Sequence, residues 1–443
     1  MMKPLKAALL GMGTVGGGVF AVLQRNRAQI RRRLGRDVEI AMIADLDTAR
    51  VRTTVGDVPV HISADAHAIA THPDIDVVIE LIGGCGVARA LVLAAIGAGK
   101  HVITANKALL ARHGGEIFAA AAARGSMVAY EAAVAGGIPI IKALREGLAA
   151  NQMEWVAGII NGTTNFILSE MRSKGQDFAG ALQQAQRLGY AEADPTFDIE
   201  GVDAAHKITL MAAMAFGIPV QFDAVHTEGI TALQTADIEY AAQLGYRIKL
   251  LGIAKRAQQG MDGIELRVHP CLVPAGHLLA NVEGAMNAVV VHGNAVGTTL
   301  YCGQGAGAEP TASAVIADLL DIARLHGAAA ECRVPPLAFQ DSTLAAAAQA
   351  LPVLPMREVQ TSYYLRIRVA DQTGVLARIA AILAQGGISI DALLQREAHN
   401  AQTDLIVLTH NTREGAMDAA LAQIQHLPTV LAPIVRLRKE DLA

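Results

Sequence analysis

Cysteine is scarce in this chain and never clustered. Cys85, Cys271, Cys302 and Cys332 are the only four in 443 residues, and no C-x-x-C pair occurs. That pattern speaks against a zinc site and against a disulfide framework, and it suits a reducing, cytoplasmic setting. Long basic runs are missing too. With a net charge of −4, the footprint of a nucleic-acid binder is absent. No uninterrupted apolar stretch is long enough to span a bilayer, so no membrane partner is expected. One stretch, Ala7–Leu23 behind Lys3 and Lys6, has the outline of a signal peptide. Gly11, Gly13 and Gly16–Gly18 interrupt it, and a buried strand entering a glycine turn explains it better. Internal repeats and long low-complexity tracts are also lacking. What remains is a chain that is 52% hydrophobic and 18% charged. That is globular composition, at a length sufficient for two or three domains.

Hydrophobic periodicity divides the chain. Leu5–Leu10 predicts a buried strand, and a helical pattern follows to about Arg33. Val38–Ala44, Val77–Leu81, His101–Thr104 and Val128–Tyr130 predict further strands, with helices at Val87–Gly97 and Lys107–Arg124. This alternation predicts an α/β, Rossmann-like, doubly wound parallel sheet over residues 1–135. Beyond Gly136 the pattern changes. Helices are predicted at Ile138–Glu146, Phe166–Lys174, Phe178–Leu188 and His206–Phe216. Strands are predicted at Met153–Ile159, Tyr246–Ala254, Ile264–Pro270, Ala288–Val291 and Thr299–Tyr301. Residues 136–345 therefore read as a mixed α+β domain whose strands pair antiparallel, with helix Thr311–His326 returning to pack on the first domain. Pro352 and Pro355 mark a linker at 346–361. Residues 362–443 then read as Tyr363–Val369, Val375–Gln385, Ile388–Gln395, Thr403–Thr409, Arg413–Ile424 and Val430–Arg436. That is βαββαβ, a ferredoxin-like unit.

Three patches carry chemistry. Gly11-Met12-Gly13-Thr14-Val15-Gly16 satisfies G-x-G-x-x-G directly after a strand and at the opening of a helix. Glycine is needed there for the tight turn, for close approach to a pyrophosphate and for strand–helix packing. Asp45 ends the second strand, where an acidic side chain binds the ribose 2′-hydroxyl of NAD. Arg50 and Arg52 stand near it, so NAD and NADP both remain open, with the acidic residue favouring NAD or dual use. The third patch, Ala185–Lys207, packs Glu192, Asp194, Asp198, Glu200, Asp203 and Lys207 between Gly189, Pro195 and Gly201. Asp203 and Lys207, four apart, share a helix face. Seen alone they read as a solvated salt bridge, but a loop with three breakers suits a cleft better than a surface helix. Cys85, in Gly-Gly-Cys-Gly, has the setting of a nucleophile but no histidine in a motif-like context. Scattered histidines, His206 included, are given no role.

The third patch fits A-x(3)-G-Y-x-E-x-D-P-x-x-D-I-x-G-x-D-x(3)-K throughout, and with it the chain resembles homoserine dehydrogenase over nearly its whole length. Thr104-Ala105-Asn106-Lys107, Tyr130-Glu131-Ala132, Gly136-Gly137-Ile138-Pro139, Asn161-Gly162-Thr163-Thr164-Asn165 and Gly303–Gly307 with Pro310–Ala314 are similar to further landmarks of that family. The C-terminal unit resembles an ACT domain through Asp371–Leu376. The resemblance implies reversible conversion of L-homoserine to L-aspartate 4-semialdehyde with NAD or NADP, the branch step toward threonine, isoleucine and methionine. It implies Lys207 as proton donor, Lys107 close to substrate and cofactor, and Asp203 as support for Lys207. Gly189, Glu192 and Asp198 would bind substrate. Gly11, Gly13, Thr14, Val15, Gly16, Asp45, Thr104, Lys107 and Gly305 would bind the dinucleotide. A sodium ion would sit at Glu131, Val134, Gly136 and Ile138, mostly on backbone carbonyls. A threonine effector at the ACT domain and a homodimer or homotetramer are implied as well. The competing expectation is a catalytically silent amino-acid sensor.

Overall fold

The structure is a computed structural model that describes residues 3–257, 262–339, 351–395 and 400–442. In chain order the strands are β1 (Leu5–Leu10), β2 (Val38–Ala44), β3 (His61–Ser63), β4 (Val77–Glu80), β5 (His101–Thr104), β6 (Val128–Ala129), β7 (Met153–Ile159), β8 (His226–Thr227) and β9 (Tyr246–Arg256). They continue with β10 (Ile264–Pro274), β11 (Met286–Gly293), β12 (Gly297–Gln304), β13 (Gln360–Ala370), β14 (Ile390–Gln395), β15 (Gln402–Thr409), β16 (Thr412–Arg413) and β17 (Val435–Lys439). The described residues form two compact units. One comprises Met1–Val156, His206–Asp223 and Asn287–Ala350, the other Ala157–Ala205, Ala224–Met286 and Leu351–Ala443.

In the first unit a six-stranded sheet runs β3-β2-β1-β4-β5-β6, with all five neighbouring pairs parallel. Strand order reverses between β1 and β4, and α/β sheets bind ligands at that switch. Leu5, Ala7 and Leu9 of β1 are fully buried, as are Val77 and Ile79 of β4. They share a core with Val19, Phe20 and Leu23 of helix Thr14–Arg25 and with Ala312, Val315, Leu319 and Ile322 of helix Ala308–Leu325. Those two helices pack at Gly18, where a Cβ would lie 2.6 Å from the Ala308 carbonyl oxygen. The unit also holds strands in the order β12-β11-β7.

In the second unit the order is β9-β10-β17-β13-β15-β14. β9 and β10 pair antiparallel over eleven residues each. β13, β14, β15 and β17 with helices Val375–Gln385 and Glu414–Gln425 make the βαββαβ unit. Its core is formed by Tyr363, Leu365, Ile367, Ile379, Leu383, Val407, Met417 and Ile424. β17, the outer strand of that βαββαβ unit, pairs parallel with β10, Cys271 opposite Arg438.

Several boundaries differ from expectation. The first long helix is two, Thr14–Arg25 and Arg27–Leu34, because Asn26 leaves helical geometry. β3, three residues long, is too short for periodicity to mark and adds an edge strand. The helix expected at Ile138–Glu146 is Ile140–Lys142 followed by a π-turn at Ala143–Gly147. The last strand sits at Val435–Lys439 rather than Val430–Arg436, because Arg438 turns inward to the buried Glu414 and the half-buried Glu228. Within the expected linker, 346–350 lies outside the described residues. Val353 bridges Ile264 of β10, and Leu354 N–H donates to the Ile264 carbonyl at 2.9 Å.

Candidate active site

The glycine turn is built as close approach demands. Gly11 has φ +93°, and a Cβ there would lie 2.9 Å from the Leu81 carbonyl oxygen. A Cβ on Gly16 would run into the Gly11 carbonyl oxygen. Gly13 is different: nothing lies within 4 Å of where its Cβ would be. Gly13 is also the N-cap of helix Thr14–Arg25, with no side-chain cap and no acidic residue in the first turn. The first N–H groups of that helix are therefore left for an anion. This open, uncapped turn fits a dinucleotide pyrophosphate.

Asp45 is doubly engaged. It accepts from Met12 N–H at 2.7 Å and Asp47 N–H at 2.9 Å, with Arg50 Nη2 at 3.3 Å. Burial would raise its pKa, but the two backbone bonds and Arg50 hold it below the usual carboxylate value. Two strands away, at the end of β4, Glu80 is fully buried. It accepts from Ile82 N–H (2.9 Å), Gly83 N–H (3.0 Å) and the Thr104 hydroxyl (2.7 Å). Thr104 Oγ1 in turn accepts from Asn106 N–H at 3.0 Å. Asn106 caps helix Lys107–Arg124 through Leu109 N–H and donates to the Gly84 carbonyl at 2.6 Å. Lys107 is thereby fixed, half-buried, as the first residue of its helix.

The 131–138 loop is tight. Ala135 and Gly136 both take positive φ, 55° and 52°. A Cβ on Gly136 would run into the Gly305 carbonyl oxygen, and one on Gly305 would run into Asn287. Gly137 N–H donates to the Gln304 carbonyl at 3.0 Å. The Glu131 carboxylate accepts from Ile141 N–H (2.9 Å) and Lys142 N–H (3.0 Å). Burial outweighs those bonds and raises its pKa. Asp318, fully buried, accepts from Glu131 N–H at 2.8 Å. Burial and the Glu131 charge push it up to about 8. Among the described residues, Asn287 Oδ1 is buried without a hydrogen-bond partner.

In the second unit, Asn161 draws two carboxylates together. Its Nδ2 donates to Asp198 Oδ1 at 2.7 Å and to Asp203 Oδ2 at 2.9 Å. Its Oδ1 caps helix Gly162–Lys174 through Thr164 N–H at 2.9 Å. Thr163 Oγ1 lies 3.1 Å from Asp198 Oδ2 and 2.6 Å from the Tyr190 carbonyl oxygen. The N-G-T-T-N stretch is thus a helix start, and the helix expected from Phe166 begins at Gly162. Gly189 has φ +76°, just past helix Phe178–Arg187. Glu192 is exposed, its carbonyl accepting from Gln186 Nε2 at 3.2 Å. Asp203 and Lys207 lie one turn apart on helix Val202–Phe216, and they are only 3% and 8% exposed. Those values argue against a solvated surface pair.

Asn161 and Thr163 stood out in sequence only as a landmark, and Glu80 and Asp318 did not stand out. An asparagine before a helix is a legible cap, but its grip on Asp198 and Asp203 is tertiary. His269, Cys271 and Glu440 place ligand atoms within 4.8 Å of one another. Arg267 already sits among them, Nη1 at 2.8 Å from His269 Nε2 and paired with Glu440. A guanidinium holds the place of a metal ion.

Residues 11–131 match the family profile "Homoserine dehydrogenase, NAD binding domain", 139–320 match "Homoserine dehydrogenase", and 363–428 match "ACT domain". The chain is similar to a homoserine dehydrogenase of Pseudomonas aeruginosa, 54% identical over 443 residues and covering 100% of both chains. It is 54% identical over 442 residues to one of Neisseria gonorrhoeae, again covering 100% of both. It matches the solved structure of a homoserine dehydrogenase from Thiobacillus denitrificans with a TM-score of 0.93, at 57% identity, covering 100% of this chain and 99% of that one. The S. aureus enzyme matches at a TM-score of 0.75 and 31% identity, covering 100% of both.

Proposed function

Because the chain belongs to the homoserine dehydrogenase family, and so interconverts L-homoserine and L-aspartate 4-semialdehyde with NAD(P), we propose that Lys207 exchanges the substrate proton. Bound NAD(P) supplies the hydride acceptor or donor. The oxygen on the reacting carbon must lose a proton in one direction and gain it in the other, and a lysine does this once a dry setting tunes its pKa. The burial of Lys207 one turn after the buried Asp203 is the observation that carries the reading. Asp203 supports the lysine. Lys107 approaches the substrate oxygen and the cofactor. Asp198 and Glu192 hold the α-ammonium group, with Gly189 offering backbone contact. The dinucleotide lies on Gly11, Gly13, Thr14, Val15 and Gly16, reaching Thr104, Lys107 and Gly305. Its ribose lies at Asp45, with Arg50 able to meet a 2′-phosphate.

Replacing Lys207 by Ala should lower semialdehyde-dependent NADPH or NADH oxidation by about 10²–10⁴-fold, the usual contribution of a positioned acid–base group. Near-normal turnover would remove Lys207 from the mechanism.

Sodium at the 131–138 loop is the companion proposal. The Glu131 carboxylate is taken up by two N–H groups, so the ion would rest on backbone carbonyls of Glu131, Val134, Gly136 and Ile138. The unpartnered Asn287 oxygen marks polar capacity nearby. Activity indifferent to exchange of sodium for choline would count against it. The ACT unit supports feedback by an amino acid, threonine first, at the branch toward threonine, isoleucine and methionine. It also supports a homodimer or homotetramer, and the four free cysteines favour a cytoplasmic setting. A flat threonine titration and a monomeric sedimentation profile would each remove one of these.

A further inference from the structure

One residue of β17 reaches far from its own module. Arg438 is fully buried. It donates from Nη1 and Nη2 to the two oxygens of Glu228 at 2.7 and 2.8 Å, a bidentate pair, and from Nε to Glu414 at 2.9 Å. Bidentate guanidinium–carboxylate contacts fix orientation as well as distance. Burial alone would raise the Glu228 pKa. The bonds from Arg438 and from His226, at 2.9 Å, outweigh it and hold the carboxyl well below the usual range.

Glu228 follows β8, which pairs parallel with β10, and its N–H donates to the Val268 carbonyl at 2.8 Å. The next residues lean on the substrate segment. A Cβ on Gly229 would run into the Ile199 carbonyl oxygen and lie 2.7 Å from Glu200 Cα. Ile230 N–H donates to that Ile199 carbonyl at 2.9 Å, and the Thr231 hydroxyl to Glu200 at 3.1 Å. Ile199 directly follows Asp198 in the short helix Thr196–Ile199. The contacts therefore run without a gap from Arg438 through Glu228 and residues 229–231 to Ile199, and by one peptide link to Asp198.

We propose that Glu228 and Arg438 are positioning residues for homoserine: their bidentate pair holds the 228–231 loop against Ile199–Glu200 and so sets where Asp198 meets the substrate ammonium. This rests on the reading of Asp198 as a substrate ligand. A side chain that positions a binding group acts on substrate affinity and leaves the dinucleotide site untouched.

The test uses the full-length chain and four proteins: wild type, Glu228→Gln, Thr231→Val and Asp198→Ala. Homoserine KM, dinucleotide KM, kcat and melting temperature are measured for each. Glu228→Gln should raise homoserine KM about tenfold or more and Thr231→Val about threefold, with dinucleotide KM unchanged. A merely structural role would lower the active fraction, and thus apparent kcat, without moving homoserine KM. Thr231 is exposed, so Thr231→Val decides the question if Glu228→Gln does not fold. Homoserine KM within twofold of wild type in the folded variants overturns the proposal, provided Asp198→Ala raises it. If Asp198→Ala also leaves it unchanged, the substrate-ligand reading fails first and this proposal falls with it.

Discussion

Asn161 offers the sharpest test of the carboxylate arrangement. Its amide has two hydrogens, and each goes to a different carboxylate, Asp198 at 2.7 Å and Asp203 at 2.9 Å. Asn161→Asp is nearly isosteric and keeps the helix cap, since aspartate caps as well as asparagine. What it loses is both donors, and it adds a third negative charge. Hydrogen bonds to charged groups are worth about 1.5–3 kcal/mol each, so the clamp amounts to about 3–6 kcal/mol. If half of that reaches the substrate-bound state, about 1.5–3 kcal/mol is lost, or roughly 10- to 100-fold in kcat/KM at about 1.4 kcal/mol per tenfold. Asn161→Ser keeps a cap and removes the clamp without new charge, so it should fall at the lower end. The assay is initial-rate homoserine oxidation at saturating dinucleotide, with melting temperature measured beside it. If both variants fold and hold kcat/KM within about threefold of wild type, Asn161 does not organise the two carboxylates for catalysis.

Gly13→Ala should leave melting temperature unchanged, because no atom lies within 4 Å of the added Cβ. It should raise dinucleotide KM severalfold, and an unchanged KM would place the pyrophosphate elsewhere. Arg50→Ala should raise KM for NADPH more than for NADH, since Arg50 stands 3.3 Å from Asp45 and is half exposed; equal changes would remove it from 2′-phosphate binding. Asp318 is pushed up to about 8, above its unfolded value of 3.8. Its contribution to stability is therefore fully present below about pH 4 and is lost as pH rises through about 8. Asp318→Asn keeps an acceptor for Glu131 N–H, so it should flatten melting temperature against pH over that window. A variant curve parallel to wild type would refute the cause.

Much of this is visible in residue pattern, for a physical reason. Glycines 11 and 16 are required by contacts within a few residues of chain or with the adjacent strand, so spacing reports them. Three of the four strands of the C-terminal unit, β13, β14 and β15, show because their apolar residues alternate toward one core. β17 is misplaced by the same logic. Its sequence V-R-L-R-K offers arginines where periodicity looks for apolar side chains, and Arg438 is buried only because Glu228 and Glu414 meet it. Asp237 is hidden for a like reason: fully buried on helix Thr235–Gln243, it pairs with Arg366 at 2.6 Å. The roles of Asn161 and Glu80 depend on partners that only folding brings near.

The pairing of β10 with β17 also sets a clock. Glu228 and Arg438 are 210 residues apart in sequence. At about 5–20 residues per second of synthesis, roughly 10–40 s pass between the appearance of one and the other. For that interval β10, already paired with β9 and β8, leaves its edge at Cys271 and Leu272 open, and Glu228 lacks its guanidinium. Open edges recruit other strands. Expression conditions that slow elongation lengthen the exposure, and the yield of correctly assembled enzyme depends on whatever shields that edge until its partner emerges.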